Sequence, residues 1–361
     1  MARAKRDVMK ALADARPEAL DPERLAGSPR QQRDLEQIIS AAITPARPRS
    51  VRRWLPVGAV GAVAAVAAGI VLFAPTQPSF PDVNRVLVDA ANKLVEPGPE
   101  GTYWETKTRH SSTWPVAAGD RRFALVIEEE REVSLGRKPE SKSRAVSGLN
   151  AVTRPRTLAD EQAWRAAGTP ASAQLLSDVG VREGAVALGQ RPPAIKPLPW
   201  LSGREDHAGL PKDADGLRRH LTERYREEAG AGTVSDAWLV DRARELITSP
   251  VAKETRAAAY EVIAGTAGVR SLGERADPLG RKGNAIALPT RRDDALGLVE
   301  QQLIIDPGTG LPLASQEVLV VPGASAASVG LAAGDIVRSE TLLGLGWTDQ
   351  QRDIPGAIGP R

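Results

Sequence analysis

Three histidines, His110, His207 and His220, are the residue types in this chain best suited to metal ligation or proton transfer, yet they share no ligand spacing with one another. Asp206-His207 has the makings of a metal or acid–base pair, but it falls in a Gly/Pro-rich stretch that reads as solvated loop. Glu128-Glu129-Glu130 and Asp293-Asp294 supply carboxylates. Adjacent residues on a strand point to opposite faces, so sequence neighbours make a poor acid/base pair, and both runs read as solvated faces. Ser325 and Ser328 lie in Gly323-Ala-Ser-Ala-Ala-Ser-Val-Gly330. A nucleophile elbow needs glycine two before and two after its serine; Ser325 has only the first and Ser328 only the second. No glycine-rich phosphate loop closing on Lys-Ser/Thr occurs. The chain has no cysteine, which removes disulfides, a thiol nucleophile, Cys-ligated zinc and an acylated lipobox. The sequence therefore names no catalytic residue, no cofactor-binding residue and no metal ligand, and enzyme function is not supported.

Charge narrows the partners. The formal net charge is +3, but residues 1–53 alone carry a net +5 and residues 54–361 a net −2. Nucleic-acid binding needs a concentrated basic face on folded structure, and the basic excess lies in the tail, so nucleic acid is set aside. Hydrophobic residues at 42% suit a globular core, and aromatics at only 4% mean that Ala, Val and Leu must build it.

The elements that would position any site begin with an anchor. Trp54 to Ala74 contains no charged or strongly polar residue; at about 1.5 Å per residue it reaches roughly 30 Å, the thickness of a bilayer core. A cleaved signal peptide fits less well, because 53 residues precede the apolar run and Leu72 and Pro75 flank a cut after Ala74 unfavourably. Arg47, Arg49, Arg52 and Arg53 crowd one flank, whereas residues 75–84 hold only Asp82. Lys/Arg excess stays cytoplasmic, which places the N-terminus inside and residues 75–361 outside.

The layout expected is a cytoplasmic basic tail over 1–53, a transmembrane helix over 54–74, a Pro-rich spacer over 75–81, an extracytoplasmic α+β domain over 82–345 and a flexible C-terminus over 346–361. In the tail, Leu35, Ile38, Ile39, Ala42 and Ile43 form one apolar helical stripe. In the outer domain, Asp82 caps a helix with Val83, Val86, Leu87, Ala90, Ala91 and Leu94 on one face. Strands follow at Thr102–Arg109, Arg122–Ile127 and Arg131–Leu135. Thr157-Leu-Ala-Asp160 resembles a capping box, Asp213 to Glu228 reads as a helix, Ser235 opens another, and Pro250 sits at the first position of a third that runs to Ile263. Residues 184–212 read as loop. Turn clusters at Ala276–Gly283 and Asp306–Gly310 separate strands at Asn284–Leu288, Val299–Ile305 and Leu313–Val321.

Leu210-Pro-Lys-Asp213 with Leu217, Ser249-Pro-Val251 with Arg256-Ala-Ala-Ala-Tyr260 and Gly268-Val269, Asp277 with Gly280-Arg281 and Gly283, and Ile304-Ile-Asp-Pro-Gly-Thr-Gly310 resemble a family of uncharacterised single-pass membrane proteins from actinobacteria. The resemblance covers most of the chain and implies no activity. More distantly, the order of elements is similar to the superfamily of periplasmic lipoprotein carriers and the sigma-E regulator that shares their half-barrel, which implies a curved antiparallel sheet cradling acyl chains under helices.

The expected fold is thus α+β, one transmembrane helix plus an extracytoplasmic domain whose curved antiparallel sheet is covered by the helices of 157–265, with either an apolar cavity between them or a filled two-layer core. The expected function is a membrane-tethered extracytoplasmic binding or sensing module for an apolar ligand, such as a lipid, or an envelope partner, with a cytoplasmic protein partner for the tail. The alternative is an anti-sigma-like transmembrane regulator acting through that tail; the absence of the usual zinc-binding His/Cys set ranks it second.

Overall fold

The computed structural model of this chain describes residues 82–95, 101–138, 140–178, 180–198, 209–230 and 234–358. The tail, the membrane span and the spacer expected over 1–81 lie outside these residues, as do Asp206 and His207. No helix among the described residues is long and apolar enough to cross a membrane.

Asp82 opens the first helix, α1 (Val83–Lys93), by accepting a hydrogen bond from the Asn84 backbone N–H at 3.2 Å. Its Val86, Leu87, Ala90 and Ala91 are buried on one face, as their spacing requires. Two long strands follow, β1 (Tyr103–Ala118) and β2 (Arg121–Gly136), paired antiparallel from Tyr103↔Gly136 to Ala118↔Arg121 around the tight turn at Gly119-Asp120. The segments Arg122–Ile127 and Arg131–Leu135, expected as separate strands, are two parts of β2. The acidic run between them does not break the strand, because alternation sends Glu129 to one face and Glu128 and Glu130 to the other.

Beyond β3 (Ser143–Pro155), the Thr157–Asp160 capping box is present and opens α2 (Leu158–Ala166). Asp160 also accepts the Ala124 N–H at 2.7 Å, which ties the helix start to β2. The expected loop at 184–212 instead carries strand structure over much of its described length: β4 (Ser172–Ser177) is followed by β5 (Gly180–Ala187), β6 (Gly189–Gln190) and β7 (Ala194–Leu198). Short edge strands rich in Gly and Pro lack the apolar alternation that marks a strand in sequence. Three helices come next, α3 (Ala214–Ala229), α4 (Asp236–Ile247) and α5 (Lys253–Ala264). The last is capped at Ala252, so Pro250 precedes the helix rather than entering it.

The chain ends in β8 (Arg270–Ala276), β9 (Lys282–Ala287), β10 (Arg291–Asp293), β11 (Gly297–Ile305), β12 (Pro312–Pro322), the short α6 (Ala324–Ser328) and β13 (Ile336–Thr348). β13 continues past residue 346 to Thr348, and Ile354 beyond it is buried with Val146 and Leu149 while most of residues 349–358 are exposed.

All thirteen strands of the described residues join one antiparallel sheet in the order β6-β3-β2-β1-β13-β12-β11-β9-β8, with β4, β5, β7 and β10 attached to its flanks. The fold is therefore α+β with a large antiparallel sheet. Bulges between Lys107 and Thr108, between Glu128 and Glu132, and between Glu317 and Val318 add twist and bend to its centre.

Helices cover one face of this sheet in separate patches. The largest core packs α1, α3, α4 and α5 on Ile286, Leu303 and Ile305 of β9 and β11. At the other side of the same face, α2 and the β4–β5 hairpin bury Val116, Phe123 and Leu125. A third cluster seats Ala326 of α6 against Val299 and Leu319. The opposite face carries ion pairs between strands, Arg109–Glu130 and Arg154–Glu128, each at 2.9 Å.

Candidate functional site

Between the helical patches the covered face turns polar, and there the sheet is left open. Register defines two rows of side chains across it. His110 on β1 stands opposite Glu129 on β2 and Glu340 on β13, and Glu340 stands opposite Ser315 on β12. In the next row Ser112 faces Ile127 and Arg338, Arg338 faces Glu317, and Glu317 faces Gln301 on β11. Directly opposed residues share a face, so both rows floor one groove of about 820 Å³.

The walls come from elsewhere in the chain. Ala237, Asp241 and Arg244 line one side from α4 at helical spacing, while Leu239, Val240, Ala243 and Leu246 turn into the core from its other face. Arg191 and Pro192, between β6 and β7, line the groove with Ser147 and Gly148 of β3. α4 is pinned over the sheet by Arg244, 3.4 Å from Glu340, and at its C-terminal end by the Trp104 indole, which donates to the Thr248 carbonyl at 3.0 Å. A second hollow of about 450 Å³ lies against the same helix, with Trp104, Val133, Leu135, Leu221 and Leu246 among its walls.

The charged side chains form three groups. The Arg338 guanidinium lies 2.8 Å from both Asp293 and Glu317 and 5.0 Å over the Trp114 ring, and Arg291 also pairs with Glu317. Burial pushes the Asp293 carboxyl up, but Arg338 and the N–H groups of Ala295 and Leu296 outweigh it and hold that carboxyl below its usual range. Glu129 binds Arg131 at 2.6 Å and Arg191 at 2.5 Å. Arg244 and Glu340 make the third group. His110 sits between the last two, its Nε2 2.8 Å from the Thr108 hydroxyl. Burial, then the charges of Arg131 and Arg244, depress its pKa against the opposing pull of Glu340 and Glu129.

Comparison with known proteins adds loose structural matches, among them two solved structures. "The complex structure of Pseudomonas aeruginosa MucA/MucB" is 14% identical over 73% of this chain and 55% of that one, with a TM-score of 0.20. "Crystal structure of MucB in complex with MucA(peri)" is 11% identical over 74% and 56%, with a TM-score of 0.18. This chain thus spans little more than half the length of either, and superpositions this loose carry no argument about its function. No protein-family model and no curated protein matches the chain.

The candidate residues of the sequence scatter. Of the three histidines only His110 reaches the groove; His220 lies on α3. Glu129 and Asp293, read as solvated, are instead largely buried against arginines, Glu129 against Arg131 of its own strand and Arg191 of the β6–β7 connection, Asp293 against Arg338 of β13. Ser325 and Ser328 are structural: Ser325 donates its N–H to Asp178 at 3.0 Å, and the Ser328 hydroxyl donates to the Ser325 carbonyl. Among the described residues no group of three or more His, Asp or Glu is placed to hold a metal ion. The residues that make the site, Arg131, Arg191, Arg244, Arg291, Glu317, Arg338 and Glu340, were not singled out from the sequence. Their one local signal is charge at alternate strand positions, as in Glu129/Arg131 and Arg338/Glu340. The larger opening on this face is polar, because its floor is the charged centre of the strands, while the smaller hollow beside α4 has apolar side chains among its walls.

Proposed function

We propose that residues 75–361 act as an extracytoplasmic binding module, tethered by residues 54–74, whose groove takes a charged or polar ligand or protein segment. The observation that supports this reading is the groove itself. It has the volume of a ligand site, and it is lined by arginines and carboxylates that the strands set in alternation rather than by the aliphatic side chains an acyl chain would need. Within a partly enclosed groove such charges select by electrostatic complementarity and bidentate hydrogen bonding. Binding is the function proposed.

Ala237 is exposed on α4 and lines the groove, which makes it a suitable position for a photo-crosslinking amino acid. Irradiated in cells, full-length protein carrying the crosslinker at Ala237 is expected to give a discrete adduct that is absent when the crosslinker sits at exposed Leu279 on the β8–β9 turn. The adduct should weaken severalfold when Glu317→Lys reverses the charge of the groove floor. Equal adducts from both positions, or none from Ala237, would sink the reading.

A further inference from the structure

We infer that the groove contains an anion subsite, built by Arg131 and Arg191, for the carboxylate or phosphoryl group of a small ligand; this rests on the groove reading above and sharpens it. Glu129 is 7% exposed and accepts from Arg131 Nε at 2.6 Å and from Arg191 Nη2 at 2.5 Å. One buried carboxylate thus orients two guanidinium groups, and the set carries an excess positive charge. Glu129 takes one arginine on each carboxylate oxygen. The second adds repulsion between like charges, which a bound anion would relieve.

Each guanidinium engages Glu129 through one N–H, and its other N–H groups have no protein partner among the described residues. Both side chains are about half exposed and line the groove, at 48% for Arg131 and 47% for Arg191. The planar arginine fork matches carboxylate and phosphoryl oxygens in pairs, so two such forks held by one anchor make a preorganised cradle. The two arginines come from different elements, β2 and the β6–β7 connection, and Pro192-Pro193 stiffens the backbone directly after Arg191. Facing groups fit this assignment. His110 lies opposite Glu129, and its pKa is lowered first by burial and then by Arg131 and Arg244, against the opposing pull of Glu340 and Glu129. Of the other carboxylates that line the groove, Glu340 on β13 is engaged by Arg244, Glu317 on β12 by Arg291 and Arg338, and Asp241 sits on α4. Glu129 is then a positioning residue, and the two arginines are the binding groups.

The test uses full-length protein in a nonionic detergent, titrated at constant ionic strength with inorganic phosphate, and separately with dihexanoyl phosphatidylglycerol and dihexanoyl phosphatidylcholine below their micellar concentrations. Saturable binding of phosphate identifies a free anion, and binding of phosphatidylglycerol without phosphatidylcholine or phosphate identifies a lipid headgroup; either supports the subsite. Arg131→Gln and Arg191→Gln should each weaken that binding about tenfold, the loss expected for one charge-assisted fork. Arg131→Lys should fall between, and Arg292→Gln, exposed on β10 and absent from the groove walls, should change nothing. Each Gln variant leaves Glu129 with one arginine, so a cooperative melt without anion, with at most a modest drop in midpoint, separates lost binding from lost fold. No saturable binding by the wild type, or binding that survives both Gln substitutions, overturns the subsite. An adduct from Ala237 that persists while anion binding fails would discard the subsite and leave the groove reading standing.

Discussion

Arg338 holds the floor of the groove together. Its guanidinium bridges Asp293 on β10 and Glu317 on β12, each at 2.8 Å, and covers the Trp114 ring. Arg338→Met keeps the apolar stem but leaves two largely buried carboxylates with Arg291 as their remaining partner. A cost of about 2 kcal/mol is expected, between that of an exposed pair and a fully buried one. The pH dependence follows from Asp293, whose folded pKa lies below its unfolded value. Such a group contributes stability that is present above the unfolded carboxylate pKa and is lost as pH falls through the folded one. Arg338→Met removes the main favourable cause of that depression. Denaturant melts from pH 7 down through the carboxylate range should therefore show the largest gap between wild type and variant at neutral pH, narrowing on acidification. A gap that stays constant or widens toward acid would refute the role given to Asp293.

At the scale of elements, one junction locks helices to sheet. Tyr260 of α5 is fully buried, and its hydroxyl donates to the Gly310 carbonyl at 2.6 Å; burial pushes this phenol well above its usual range, so it remains a donor. Gly310 has φ +72°, and a Cβ there would stand 2.1 Å from the Ala90 carbonyl of α1. Arg256, one turn before Tyr260, donates to the Val95 carbonyl beyond the end of α1. Tyr260→Phe should cost about 1–2 kcal/mol by leaving a buried carbonyl unpaired. Gly310→Ala should cost more, on the order of 3 kcal/mol, because left-handed backbone strain adds to the clash with α1. Chemical denaturation checks both, and a Gly310→Ala variant as stable as wild type would exclude the close approach. Asp306-Pro-Gly-Thr-Gly310 reads as a turn in the sequence, and the turn is there, with Asp306 accepting from the Gly308 N–H at 2.9 Å. That its last carbonyl meets Tyr260, 50 residues earlier, has no local signature.

For the whole molecule, the membrane arrangement is the expectation that most shapes the function. Four arginines precede the apolar stretch within residues 44–53, and one acid follows within 75–84, so the proposal keeps residues 1–53 in the cytoplasm. Because the chain has no cysteine of its own, single substitutions report cleanly. Asp120→Cys, at the tip of the β1–β2 turn where the side chain is 86% exposed, should react with an impermeant maleimide on intact cells. Ser28→Cys should react only after permeabilisation. Equal labelling, or the reverse order, would invert the assignment and with it the extracytoplasmic reading.

What the sequence determined by itself was local. Periodicity located α1, the helices near 213–263 and the late strands, and cap chemistry located the start of α2, because a helix face or a cap is written within a few neighbouring residues. The tertiary structure alone decided the site. Arg131, Arg191, Arg244 and Arg338 come from four elements, and each is an ordinary surface residue until strand register and helix docking bring it to one groove. The polarity of that groove was likewise out of reach. Alternation shows that a strand has two faces, but not which lengths of a face the helices will cover and which will stay open to solvent.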